Sequence, residues 1–368
     1  MTKQVSLVIP TLNAGPGFGQ LLQVIAAQHV DMPVEVLIVD SGSTDGTTEL
    51  AWNAGVKVLS APRRKFSHGG TRNLAIEATH GDYIVLTVQD AMPVGENWLT
   101  TLLHPMLEDE TIAASYGLQV APQDAGPLAQ VRSTTWQRAH SEPQVKEVAS
   151  PEAFWELSPQ ERLRLATFDD VTACIRREVW RLIPLPEVPF GEDLAWAVQS
   201  LLNGYRIAYV PEARVEHAHE RSMTYELRRS FLYGRLRVRA LGWLAPSMDF
   251  RTAIALLYEV YHPQLIRKCI QFGESADILN CLASELYGCD AESDLPFIQA
   301  YRHAAELGWV LVKTASELFP GSHLPEGVWP ASARLATVLL VGETLGGATE
   351  THHGLVWWIL RRYMARGV

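Results

Sequence analysis

The chain has 368 residues, 47% of them hydrophobic and 20% charged, with a formal net charge of −10. That is enough for one large domain with an extension, and the acidic balance argues against a nucleic-acid binder. No run reaches the roughly 18 apolar residues that a membrane-spanning helix needs. Four cysteines (Cys174, Cys269, Cys281, Cys289) have no metal-ligand spacing and are expected to be reduced and mostly buried. The N-terminus enters a strand at once, so no signal peptide is expected, and the expected location is the cytoplasm or the inner face of the membrane.

Residues 5–13 (VSLVIPTLN) read as an apolar strand running into a loop, and a helix is expected over 17–28. Thr11 and Asn13, at the strand exit, could hydrogen-bond a nucleobase or ribose, or simply form the turn. Residues 34–47 (VEVLIVDSGSTDGT) repeat the pattern. A buried strand ends in Asp40, and Ser43 or Thr44 is expected to cap the next helix, with Thr47 and Glu49 in its first turn. Asp45 reads as part of that capping. Gly15, Gly17 and Gly19 do not match the dinucleotide fingerprint, and no phosphate-binding P-loop is present, which argues against nicotinamide or ATP sites.

The densest stretch is 65–93, KFSHGGTRNLAIEATHGDYIVLTVQDAMP. Residues 66–70 have the composition of a loop tip. A helix is expected over 71–79, stopped at His80-Gly81, and a buried strand over 83–88. Gln89 and Asp90 then sit at that strand's C-terminal edge, where open α/β sheets bind ligands. Arg72 lies at the start of the helix, where backbone N–H groups and a guanidinium fork both suit phosphate oxygens. Prolines and a short helix near 151–161 mark an irregular segment over 121–168, expected to cover the acceptor side, and 171–175 returns to the sheet. Farther on, Gly191 opens a helix that starts with Glu192 and Asp193. Two acids there suit the helix dipole, and one of them also suits a general base. Residues 203–219 (NGYRIAYVPEARVEHAH) give a helix stop at Gly204 and a strand over 207–210, broken by Pro211. His217 and His219 follow, on one face if extended.

Four motifs in this order resemble the family 2 glycosyltransferases, and within them the rhamnosyltransferase-like group: the 5–13 strand and loop, the 34–47 strand and loop, the F-x-H-G-x-x-R-N run with Q-D-A, and the G-E-D helix start with its following histidines. The resemblance covers residues 5–231. It implies an α/β fold of GT-A type; the alternation of strands and helices up to residue 118 gives a doubly wound, mostly parallel sheet, and the change of character beyond residue 222 divides the chain into domains 1–222 (catalytic) and 223–368, a mainly helical C-terminal extension. The resemblance implies an inverting transfer from a nucleotide-diphospho sugar, dTDP-rhamnose above all, to a bacterial surface glycan, free or lipid-linked.

The same resemblance distributes the roles. Asp193 is the general base, with Glu192 in support. Thr11, Asn13, Asp40, His68, Arg72, Gln89 and Asp90 bind the donor, Asp40 by accepting from a base N–H. Asp90 holds a divalent metal (Mg²⁺ or Mn²⁺) with His217, or else His219. Where many relatives have D-x-D, this chain has Val88-Gln89-Asp90, and where many have D-D or D-N it has Asp40-Ser41. Each departure removes a carboxylate. Transfer of another hexose, or a catalytically silent sugar-nucleotide-binding subunit, are the competing readings.

The C-terminal third lies outside the resemblance. Residues 224–244 read as a helix with Arg228, Arg229, Arg235, Arg237 and Arg239 among aromatics. Residues 355–368 combine bulky apolar residues with three arginines and no acid. That tail fits an anionic membrane surface, or packing on the domain or a second subunit.

Overall fold

The structure, a computed structural model, describes residues 3–219, 221 and 223–242. The chain divides into two compact units. One consists of Met1–Pro122 with Gln137–Ala218, the other of Gln123–Trp136 with His219–Val368. The expected membrane-facing tail, Cys269, Cys281 and Cys289 lie outside the described residues. Among the described residues, no helix is long and apolar enough to cross a membrane. Cys174 is free and buried, as expected.

The first unit is built on one mixed sheet. Its elements begin β1 (Val5–Thr11), α1 (Phe18–Ala26), β2 (Val34–Asp40), α2 (Thr47–Asn53) and β3 (Lys57–Ser60), followed by α3 (His68–Glu77) and β4 (Tyr83–Thr87). Next come β5 (Met92–Pro93), α4 (Trp98–Glu108) and β6 (Ile112–Val120), then α5 (Pro127–Ala139), β7 (Gln144–Lys146), α6 (Pro151–Glu156) and α7 (Pro159–Ala166). The remainder is β8 (Thr172–Arg176), α8 (Arg177–Leu182), α9 (Glu192–Leu202), β9 (Arg206–Glu216) and α10 (Met223–Leu241). Strand order is β3-β2-β1-β4-β8-β6-β9-β5, with β7 paired to β9. β1 to β4 are parallel, as are β6 and β9, while β8 runs antiparallel to both its neighbours. The expected doubly wound, mostly parallel α/β sheet is therefore present.

Burial explains the two-sided sheet. All five residues of β4 and of β8 are buried. Val5, Leu7 and Ile9 of β1 share a core with Phe18, Leu21 and Ile25 of α1 and Trp98, Leu102 and Met106 of α4. The alternate residues Val8, Val39, Ile84 and Leu86 are also buried. A period of two sends them to the opposite face, and α3 packs there against β1 and β2. The structure places the C-terminal ends of β1, β2 and β4 together, because Thr11 pairs with Asp40 and Val8 with Leu86 in the parallel register.

Several expected boundaries move, each for a local reason. Of the loop expected over 66–70, residues 68–70 are instead the first turn of α3, capped by the Ser67 hydroxyl, which accepts from Gly70 N at 3.1 Å. Gly69 and Gly70 are there for closeness. A Cβ at Gly69 would collide with the Pro186 carbonyl oxygen, and one at Gly70 would come 2.7 Å from Ser67 Oγ. Gly69→Ala is therefore expected to destabilise the protein by roughly 1–3 kcal/mol, the usual cost of overpacking. A urea midpoint equal to wild type would refute that packing. At its other end α3 stops without a left-handed glycine. The Ile76 carbonyl accepts instead from Arg177 Nη1 at 2.9 Å and from the Thr79 hydroxyl at 2.8 Å.

Helix α2 is preceded by Gly46 in the left-handed region (φ 90°), not by a Ser43 or Thr44 cap, because the Ser43 side chain is drawn to Asp40. Pro211 does not end β9. The register slips between Tyr116↔Tyr209 and Leu118↔Arg214, so residues 210–213 bulge opposite Gly117 and the missing proline N–H falls where no ladder bond is needed. The irregular segment contains a short strand, β7, and three helices, α5, α6 and α7, where one was expected.

In the second unit, α10 spans Met223–Leu241, close to the helix expected over 224–244. It buries Phe231, Leu232 and Leu236. Its buried Glu226 accepts from Arg132 Nη1 at 3.0 Å.

Candidate active site

The exits of β1 and β2 form two loops stitched to each other. Asp40, 4% exposed, accepts four hydrogen bonds: Thr11 Oγ1 at 3.0 Å, Ser43 Oγ at 2.5 Å, Gly42 N at 2.9 Å and Ser43 N at 2.9 Å. Burial works to raise its pKa, but these donors outweigh it and hold the carboxyl below the ordinary aspartate range. A carboxylate has about four acceptor positions. Asp40 fills them with its own loop and with Thr11. Thr11 donates its hydroxyl proton to Asp40 and keeps its oxygen lone pairs as acceptors. Asn13, exposed and at φ 50°, accepts from Thr44 N through Oδ1 at 2.9 Å, and its own N–H reaches Ser43 Oγ at 2.8 Å. Asp45 accepts from Gly15 N and from Thr47, which joins the loops again.

Gln89 ties the end of β4 to the same loops. Its Oε1 accepts from Leu12 N at 2.7 Å and its Nε2 donates to Leu12 O at 3.3 Å. An amide both accepts and donates in this way at any pH. A carboxylate could only accept.

The start of α9 meets α3 and the loop before β8 in a dense cluster of charge. Arg72, expected on the donor phosphates, is turned inward instead and is 2% exposed. Its Nη1 bonds Glu192 Oε1 at 2.8 Å and its Nη2 bonds Asp170 Oδ1 at 2.9 Å. Helix geometry accounts for this: Arg72 sits one turn beyond His68 on the buried side of α3, together with Thr71, Ala75 and Ile76. His68 is half exposed, with Nδ1 4.0 Å from Glu192 Oε1, and burial and then Arg72 lower its pKa. Asn73 holds the neighbouring loop, accepting from Trp180 Nε1 at 2.8 Å and donating to Leu185 O at 2.8 Å.

Asp169, Asp170 and Asp193 bring carboxylate oxygens within 4.8 Å of one another. Burial raises the pKa of Asp193 well above the usual value, and the charges of Asp170, Glu192 and Asp169 add to it. Burial likewise raises Asp170 and Asp169. One guanidinium thus faces four carboxyl groups. The arrangement makes Asp193 an avid proton acceptor while Glu192 is held by Arg72.

At the other end of the site, His217 Nε2 lies 3.4 Å from Asp90 Oδ1. Asp90 is 42% exposed and His217 13%. His217 Nδ1 faces Gln119 Oε1 at 2.6 Å, and Gln119 Nε2 donates to Asp169 Oδ2. The Asp90 carboxylate and the His217 lone pair suit a hard divalent ion such as Mn²⁺ or Mg²⁺, with coordination positions left for other oxygens. His219 belongs to the second unit and is exposed.

Asp169, Asp170 and Gln119 were not expected as site residues. The D-D pair directly before the apolar 171–175 run was a visible signal, since two carboxylates at the mouth of a buried strand need a partner. Gln119 carries no such mark, because its role exists only once β6 and β9 pair.

Comparison with known proteins adds four findings. The family model "Glycosyl transferase family 2" matches residues 6–175. The O-antigen chain rhamnosyltransferase RfbN of Salmonella typhimurium is 32% identical over 232 residues, covering 62% of this chain and 70% of that protein. The O-antigen chain rhamnosyltransferase WbaN of Salmonella anatum is 30% identical over 233 residues, covering 61% and 70%. Among solved structures, mannosyltransferase PcManGT from Pyrobaculum calidifontis, in complex with GDP-Man and Mn²⁺, superposes with a TM-score of 0.49 at 18% identity, covering 93% of this chain and 86% of that one.

Proposed function

This chain belongs to glycosyl transferase family 2 and is a glycosyltransferase of GT-A type, and from that premise we propose that it moves rhamnose from dTDP-rhamnose to a bacterial surface glycan with inversion at the anomeric carbon. The observation that carries the chemistry is the Asp193 carboxyl, whose proton affinity is raised by burial and by three neighbouring carboxyl groups. The names of the two Salmonella relatives support the choice of sugar.

In this reading Asp193 takes the proton from the acceptor hydroxyl as that oxygen attacks. Glu192, fixed by Arg72, and Asp170 hold Asp193 in a field that favours the proton's arrival. The stitched loops of residues 11–15 and 40–47 form the floor for the nucleotide. Their carboxylates are already satisfied, so recognition falls to exposed groups such as Asn13 and His68. Asp90 and His217 would hold a divalent cation, with His219 as the further candidate. That cation would offset charge on the leaving diphosphate.

A thermal-shift panel of dTDP-rhamnose, UDP-glucose and GDP-mannose, each with Mn²⁺ or Mg²⁺, tests the donor. dTDP-rhamnose is expected to raise the melting temperature most. A larger shift with either hexose donor would replace the sugar while leaving the family intact. EDTA should abolish transfer, and full activity in EDTA would remove the cation from the reading.

A further inference from the structure

We infer that Gln119 is a positioning residue that fixes the tautomer of His217, so that the Nε2 lone pair faces Asp90. This deepens the proposed metal role of His217 and rests on it. Gln119 lies near the end of β6, opposite Val215 of β9, and the adjacent Val120 carbonyl accepts from His217 N at 2.9 Å. Strand pairing therefore fixes both residues on one ladder. The orientation of the amide follows from its other partner. Asp169 accepts from Val171 N through Oδ1 at 3.0 Å, and its second oxygen takes the Gln119 Nε2. Asp169 in its ionised form only accepts, and against it the amide turns its NH₂ toward Asp169 and its oxygen toward His217.

That oxygen, 2.6 Å from His217 Nδ1, requires a proton there. In the neutral ring Nε2 then carries a lone pair and no proton, and it is the atom 3.4 Å from Asp90 Oδ1. Metal-binding histidines commonly hold their second ring N–H on such a partner, and losing it typically costs 10–100-fold in affinity. Gln119 also joins the two ends of the site into one hydrogen-bonded path, from His217 beside Asp90 to Asp169 beside Asp193.

The test begins with wild-type protein labelled with ¹⁵N-histidine and free of metal, the His217 signals being assigned by their loss in His217→Ala. Nitrogen NMR is expected to show Nδ1 protonated and Nε2 bare in the neutral ring. A protonated Nε2 would mean that Asp169 carries a proton and the amide is reversed, and would overturn the inference without any variant of Gln119. Mn²⁺ titration in the presence of dTDP should then show Gln119→Leu weaker by roughly 10–100-fold, with dTDP affinity in the absence of metal unchanged. Wild-type Mn²⁺ affinity in Gln119→Leu, with affinity lost in His217→Ala, would also overturn it. Unchanged Mn²⁺ binding in His217→Ala would be a different failure, that of the metal assignment, and the wild-type tautomer would still decide what Gln119 does.

Discussion

Asp193→Asn is expected to lose transfer by roughly 10²–10⁴-fold, the range for removal of a general base, while donor affinity persists. Stability should move the other way. The folded-state pKa of Asp193 is raised, so the stability this group contributes is present at low pH and is lost as pH rises through the folded value. Above that value an amide removes a crowded negative charge, and the variant should unfold at a higher urea concentration than wild type. A residue kept for packing alone would not show inactivity joined to greater stability. Near-normal turnover in Asp193→Asn would exclude it as the base. The same cause sets the pH profile: the wild-type acid limb of kcat/KM should lie above the ordinary aspartate value of about 3.9, and Asp170→Asn should shift it to lower pH by deleting a neighbouring charge.

The second large effect is expected at Arg72. Arg72→Met leaves Glu192 and Asp170 buried without the guanidinium that both use. Removing one partner from such a buried group costs roughly 3–5 kcal/mol, because the remaining charges stay desolvated. Arg72→Lys should recover only part of this loss, since a single ammonium cannot span two carboxylates as a planar fork does. The acid limb in any active Arg72→Met should rise, as a positive charge has left the surroundings of Asp193. An unfolding midpoint equal to wild type would show that the ion pairs contribute nothing net.

The sheet was legible in the sequence because its strands are short apolar runs punctuated by glycine, proline and acids. β1, β2 and β4 lie within a residue or so of their expected bounds. The antiparallel course of β8 was not legible, since a run buried on both faces reads the same in either direction. Asp90, His217, Glu192 and Asp193 were visible as chemistry-bearing residues at element ends, and the fold brings them to two ends of one polar path. Arg72 and Asp40 show the limit of that reading. Each is a charged residue at an element boundary in a ligand-binding motif, which suggested contact with the donor. The structure satisfies each one internally, Arg72 by carboxylates distant in sequence and Asp40 by its own loop. Long-range partners of this kind leave no periodic trace.

A single displacement on dTDP-rhamnose, assisted by the Asp193 carboxylate as proposed above, inverts the anomeric centre. The most direct measurement is NMR of the anomeric centre in the product formed from dTDP-rhamnose and a surface-glycan acceptor. The account predicts a rhamnosyl product whose anomeric configuration is opposite to that of the donor. A product that retains the donor configuration, or no consumption of dTDP-rhamnose while another donor is turned over, would contradict it.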